Sequence, residues 1–209
     1  MAPVKEPVKE VVVGVTGASG ALYATRLLRA LLAGGHRVHL ILSKYGRFLL
    51  REELGFGAEG WQDETVREFL QRLYGEEASG GELAEYGVND LTCSIASGSV
   101  LTDGMVVIPC SAKTFSGIAR GASSNLIERA ADVALKERRP LVVVPRETPL
   151  NLIQLRNLTA LAEAGATVLP AMPAFYQKPR SFDDLADFMA GRVLDLLKIE
   201  HELFPRWRE

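Results

Sequence analysis

Ser111, Lys113 and Thr114 follow one apolar run, Met105-Val-Val-Ile108, and Arg146-Glu147 follow another, Leu141-Val-Val-Val144, each behind a proline. Hydroxyls and a lysine beside backbone N–H groups could hold the polar edge of a flat ring or a phosphate, although helix capping by Ser or Thr is the plainer reading. A guanidinium next to a carboxylate could bind an anionic group while the carboxylate exchanges a proton. A third cluster, Gly17-Ala-Ser-Gly20, lies between an apolar run and a helical pattern. Free N–H groups and the helix dipole favour a phosphate there, and glycine allows close approach. The alternative is a tight turn with Ser19 as N-cap. Glycines at 14, 17 and 20 do not make the dinucleotide spacing, and the second strand ends in Ser43 rather than in an acid for an adenosine ribose. No tyrosine has a lysine four residues on. These features favour a mononucleotide over NAD(P).

Further cations lie along the chain. Arg129 and Lys136 are seven residues apart, so one helix face would carry both, ~10 Å apart, with Asp132 between them. Spacing alone fits a solvated face of Arg–Asp and Asp–Lys pairs equally well. Tyr176, Lys178, Arg180 and Arg192 add a hydroxyl and positive charge near the C-terminus. Several cations without a metal motif suggest a second, phosphate-bearing ligand. Cys110 reads as a buried apolar filler, since nothing near it in sequence would favour a thiolate.

The elements that must position these residues alternate. Val11–Val15 reads as a strand, and the following stretch has apolar residues at 24, 27, 28, 31 and 32, one helical face. Gly34-Gly35 stops that helix, and Val38–Leu42 is the second strand. Residues 55–90 are Gly-rich and acidic, with a helix around 64–74 and a short strand near 85–88. After the strand at 105–108, helix is expected at 125–138, strand at 141–144, helix near 150–163, strand at 167–169 and helix at 182–198. β-branched runs of this length suit strands buried on both faces. The expectation is an α/β fold: a Rossmann-like (flavodoxin-like) doubly wound parallel sheet with helices on both faces. Ligands of such sheets bind beyond the carboxyl ends of the strands, where the three clusters fall.

A chain of 209 residues suits one core, so residues 10–209 are read as a single domain behind a disordered lead-in at 1–9. A net charge of −2 without a basic block argues against nucleic acid. No apolar stretch reaches the ~18–20 residues of a membrane span, and the lead-in lacks a signal-peptide core. Cys93 and Cys110 have no metal spacing, which points to a reduced, cytoplasmic protein.

Gly17-Ala-Ser-Gly-Ala21, Ser97-Gly-Ser99, Pro109-Cys-Ser111, the tract Asn125–Pro140, Pro145-Arg-Glu147, Phe175-Tyr176 and Pro205-Arg-Trp207 closely resemble the UbiX flavin prenyltransferases. The resemblance runs from Val11 to Trp207. It implies a metal-independent reaction between reduced FMN and dimethylallyl monophosphate. The dimethylallyl group would be captured at flavin N5, a bond to C6 would close a new ring, and prenylated FMN would pass to a UbiD-type decarboxylase. It also implies a large homo-oligomer, typically a dodecamer, with sites at subunit interfaces. Carried over, Gly17, Ala18, Ser19, Ser43, Ser111, Ala112, Lys113, Thr114 and Arg146 would hold FMN. Lys136, Tyr176 and Arg192 would meet the prenyl phosphate, with Arg129 reaching it from a neighbouring subunit or the same helix face. Glu147 would carry protons, and Glu53 matches a carboxylate near the phosphate. Leu91 stands after Asp90 where some members have Trp, which removes any cation–π help there. A decarboxylase of the phosphopantothenoylcysteine type and a non-catalytic FMN carrier are the competing readings. His36, His39 and His201 do not suit the first, and the conjunction of Lys136, Arg146, Glu147, Tyr176 and Arg192 does not suit the second.

Overall fold

All the runs that read as doubly buried strands join one sheet in the computed structural model, which describes residues 7–206. The strands are β1 (Glu10–Val15), β2 (Arg37–Leu42), β3 (Glu82–Gly87), β4 (Gly104–Cys110), β5 (Leu141–Pro145) and β6 (Thr167–Val168). They run parallel in the order β3-β2-β1-β4-β5-β6. This is the Rossmann order, and without edge strand β3 the other five follow the flavodoxin-like order. The helices are α1 (Ala21–Ala33), α2 (Lys44–Leu54), α3 (Val66–Tyr74), α4 (Ala112–Ala119), α5 (Leu126–Lys136), α6 (Leu152–Glu163) and α7 (Phe182–Leu197).

Alternation along the strands builds two apolar layers. Val11, Val13, Val15, Val106 and Ile108 pack with α1, α3 and α7; Val12, Met105, Val107 and Val143 pack with α4, α5 and α6. The expected stripe of α1 is buried at Ala24, Leu27, Leu28, Leu31 and Leu32. Each such leucine contributes about 1.5–3 kcal/mol. Helices read from periodicity start and stop within two residues of those observed.

Two helices, α2 and α4, have no counterpart in the sequence reading. In α2 only Gly46 and Leu50 are buried, while Tyr45 and Phe48 face outward, so no apolar stripe announces it. Gly46 lets α2 start against β1, because a Cβ there would meet the Val15 carbonyl oxygen at 2.4 Å. With eight residues and an internal glycine, α4 is too short for periodicity to reveal. At the N-terminus, Lys9 is anchored: its N–H donates to His36 Nδ1 at 3.1 Å and its ammonium pairs with Asp103 at 3.2 Å. Residues 1–6 of the expected lead-in, and Trp207, lie outside the described residues. No helix among the described residues is long and apolar enough to cross a membrane.

Candidate functional site

β1 and β4 are neighbours from which the chain winds to opposite sides of the sheet, so a crevice opens beyond their carboxyl ends. Thr16 ties the two ends together from inside. Its N–H and hydroxyl donate to the Pro109 carbonyl at 3.2 and 2.8 Å, and its hydroxyl accepts the Ser111 N–H at 2.8 Å. Arg146, just past β5, donates its N–H to the Cys110 carbonyl (3.2 Å) and its Nε–H to the Ser19 carbonyl (3.0 Å). The glycine turn, the Ser111–Thr114 segment and Arg146 thus meet at one place, as their positions at strand ends predict.

Three helices start around this crevice. At α1, the Glu53 carboxylate from α2 accepts the Gly20 N–H at 3.0 and 3.2 Å and the Ala21 N–H at 2.8 Å. The helix end expected to attract a phosphate is therefore already held by a protein carboxylate, and Ser19 is not the N-cap. Gly17 must lack a side chain, since a Cβ would come within 2.4 Å of Tyr45 Cβ; Ala18 is buried and Ser19 exposed. At α2, Ser43 is the N-cap, a role the sequence reading did not give it: its hydroxyl oxygen accepts the Gly46 N–H at 2.9 Å. At α4, Ser111 is the N-cap residue but makes no side-chain cap bond. Its hydroxyl pairs instead with Thr114 Oγ1 at 3.1 Å. The first-turn N–H groups of Ala112, Lys113 and Thr114 have no acceptor within the helix, and none of the described residues supplies one. Lys113 is exposed and Thr114 buried. This end can take an anion or a carbonyl edge.

Glu147 follows Arg146 at the same strand end, while the other candidates lie on α5 and toward the C-terminus. Glu147 is exposed, with Oε1 accepting the adjacent Thr148 N–H at 3.1 Å. Arg129 donates to the Ala96 carbonyl (3.1 Å) and to Asp132 (3.1 Å). Lys136, the last residue of α5, pairs with Glu137 at 2.5 Å and not with Asp132. α5 leads within five residues into the start of β5. Lys136 therefore sits toward the amino end of the sheet, about 15 Å along the helix from its first turn, while Ser111 and Arg146 lie at the carboxyl end. Tyr176 packs edge-on to Phe188 of α7 at 6.2 Å between ring centres, and Arg192, one turn further, pairs with Asp195 at 2.9 Å.

Electrostatics and packing add residues that sequence reasoning missed. Tyr23 lies against Gly20, and burial raises its hydroxyl above the usual range while the Arg146 charge offsets part of the shift. Tyr23 is thus protonated at neutral pH. Cys110 is buried, which pushes its thiol far upward, as suits an apolar filler. Tyr45 and Phe48 line a cavity of about 340 Å³ with Lys44 and Arg51 on the outer side of α2. Thr16 carried one signal, a polar residue directly after the apolar run of β1. Among the described residues no group of three or more His, Cys, Asp or Glu is placed to hold a metal ion.

Comparison with known proteins places this arrangement. The family model described as Flavoprotein matches residues 2–194. The flavin prenyltransferase UbiX of Halalkalibacterium halodurans is 51% identical over 197 residues, covering 94% of this chain and 92% of the relative. A crystal structure of AnUbiX (PadA1) in complex with FMN and dimethylallyl pyrophosphate superposes with a TM-score of 0.83 at 38% identity, covering 97% of this chain and 99% of the other. A dodecameric FMN-dependent UbiX-like decarboxylase from Escherichia coli O157:H7 gives 0.81 at 39% identity, covering 96% and 100%. With the crevice at the β1–β4 switch, the open first turn of α4 and identity over almost the whole length, the chain belongs to the UbiX flavin prenyltransferases of the Flavoprotein family.

Proposed function

We propose that residues 10–209 form one flavoprotein domain that joins the dimethylallyl group of dimethylallyl monophosphate to N5 and C6 of reduced FMN, without a metal. The observation that carries this reading is the uncapped first turn of α4, facing the glycine turn and Arg146 across the switch point. Gly17, Ala18, Ser19, Ser43, Ser111, Ala112, Lys113, Thr114 and Arg146 are the FMN contacts. Ser43 uses its oxygen as a cap and keeps its own proton to donate. The amides of Ala112 to Thr114 donate to no group among the described residues, so they suit an acceptor edge or phosphate. Reduced FMN supplies the nucleophilic positions.

Lys136, Arg129 and Arg192 stabilise the charge on the departing phosphate, and the Tyr176 hydroxyl donates to its leaving oxygen. The position of Lys136 at the far end of α5 favours its delivery from a neighbouring copy, and Arg129 on the same helix would come with it. A homo-dodecamer, like that of the Escherichia coli relative, would supply such copies. Glu147 holds and returns a proton at the reacting flavin. Glu53, with its carboxylate on the Gly20 and Ala21 amides, acts by fixing the turn. The product, prenylated FMN, serves a UbiD-type decarboxylase in the cytoplasm.

The test is anaerobic mixing of the protein with reduced FMN and dimethylallyl monophosphate, with the pyrophosphate as a parallel donor. A flavin heavier by one C5H8 unit is expected with the monophosphate. Tight FMN binding with no mass change from either donor would return the carrier reading.

A further inference from the structure

Thr16 is 1% exposed, so it lies beneath the crevice and not in it. A hydroxyl has no packing purpose there, since Val11, Val13 and Val15 of β1, which Thr16 directly follows, are apolar and equally buried. A buried hydroxyl is tolerated when it both donates and accepts, and this one does. It donates to the Pro109 carbonyl and accepts the Ser111 N–H, both at 2.8 Å. From there a chain of contacts closes on itself. Pro109 leads to Cys110, whose carbonyl accepts the Arg146 N–H, and the Arg146 guanidinium returns to the Ser19 carbonyl in the turn that follows Thr16. The three flavin-facing segments are therefore joined in one closed loop of contacts, in which the Thr16 side chain makes the link from β1 to Pro109 and Ser111 and Arg146 makes the others.

The link has a directional consequence. With its N–H held from below, Ser111 enters α4 without capping it, and its hydroxyl stays beside Thr114. If the Thr16 hydroxyl is lost, the Ser111 N–H loses its acceptor, and the 110–111 peptide must turn to find another. That turn moves Ser111 and the first-turn amides together. Resting on the flavin reading above, we infer that Thr16 is a positioning residue for flavin binding, aiming α4's first turn at the ligand without touching it.

The experiment titrates oxidised FMN by flavin fluorescence into the full-length wild type and the Thr16→Ser, Thr16→Ala and Thr16→Val variants, below the Tm of each. Ser and Ala both lack the methyl group, so that pair isolates the hydroxyl even if the valine variant does not fold. Thr16→Ser should bind FMN within about twofold of wild type and Thr16→Ala about tenfold more weakly, the scale of one hydrogen bond. The visible band of bound FMN should shift only in the variants without the hydroxyl. Equal FMN affinity for the Ser and Ala variants, or a fall in Tm alone, would overturn the assignment. Wild type that binds FMN and forms the heavier flavin while this pair behaves alike leaves the function standing and removes Thr16. Wild type that binds no FMN removes both.

Discussion

α1 and α4 begin at the carboxyl ends of adjacent parallel strands, yet they treat their first turns in opposite ways. α1 receives the Glu53 carboxylate on Gly20 and Ala21, whereas α4 has a serine at the cap position that does not cap. Both ends present the same unsatisfied donors and the same positive dipole end. The glycine-rich start, which looks more like an anion site in sequence, is satisfied within the chain. The plain Ser-Ala-Lys-Thr start remains available. Anion-binding potential is generic to helix starts, and what else reaches the donors decides its use.

This contrast predicts that changes at the open end alter chemistry and changes at the filled end alter stability. The largest effect is expected for Glu147→Gln, with turnover reduced by about 10²-fold or more and FMN affinity and Tm unchanged, read by flavin mass over time. A variant with full activity removes Glu147 from the mechanism. Gly17→Ala comes next, because its Cβ would strike the base of Tyr45, which cannot swing away. A loss of about 1–3 kcal/mol in denaturant unfolding is expected, with weaker FMN binding. No loss would mean that the turn does not sit tightly on α2.

Glu53→Ala should cost about 1 kcal/mol, as loss of a helix cap does, and lower Tm by about 2–4 °C. Should turnover collapse in that variant while Tm holds, the filled end belongs to the chemistry and the contrast breaks. The smallest effect concerns Glu64, which supports the loop behind α2. Its nearly buried carboxylate accepts the Gly57 N–H at 2.8 Å and pairs with Arg72 at 2.8 Å. Burial pushes its pKa up, but Arg72 and the Gly57 N–H outweigh that, and the net shift is downward from 4.5. Its stabilisation is therefore full above pH 4.5 and is lost as the pH falls through the depressed folded value. The Tm gap between wild type and Glu64→Gln should accordingly close on acidification. A gap independent of pH would assign the effect to packing instead of charge.

The parts of the molecule that were legible in sequence are those governed by local pattern. The β-branched runs of β1, β4 and β5 are buried on both faces, so their composition announces them. The leucine stripe of α1 announces that helix equally well. Helix α2 escapes because its outer face carries Tyr45 and Phe48 and its start needs Gly46 against β1. Arg129 and Lys136 show the limit of spacing. A helical repeat places them on one face, but only the connection of α5 to β5 shows which end of the sheet Lys136 occupies.

By itself the sequence determined a doubly wound parallel sheet and polar groups waiting at its carboxyl ends, because burial on two faces and strand-end position are written in consecutive residues. Only the tertiary structure decided which helix start is spent and which is free. Glu53 reaches Gly20 across 33 positions and Thr16 reaches Ser111 across 95. Hydrogen bonds between residues so distant in sequence exist only once the sheet and α2 have packed.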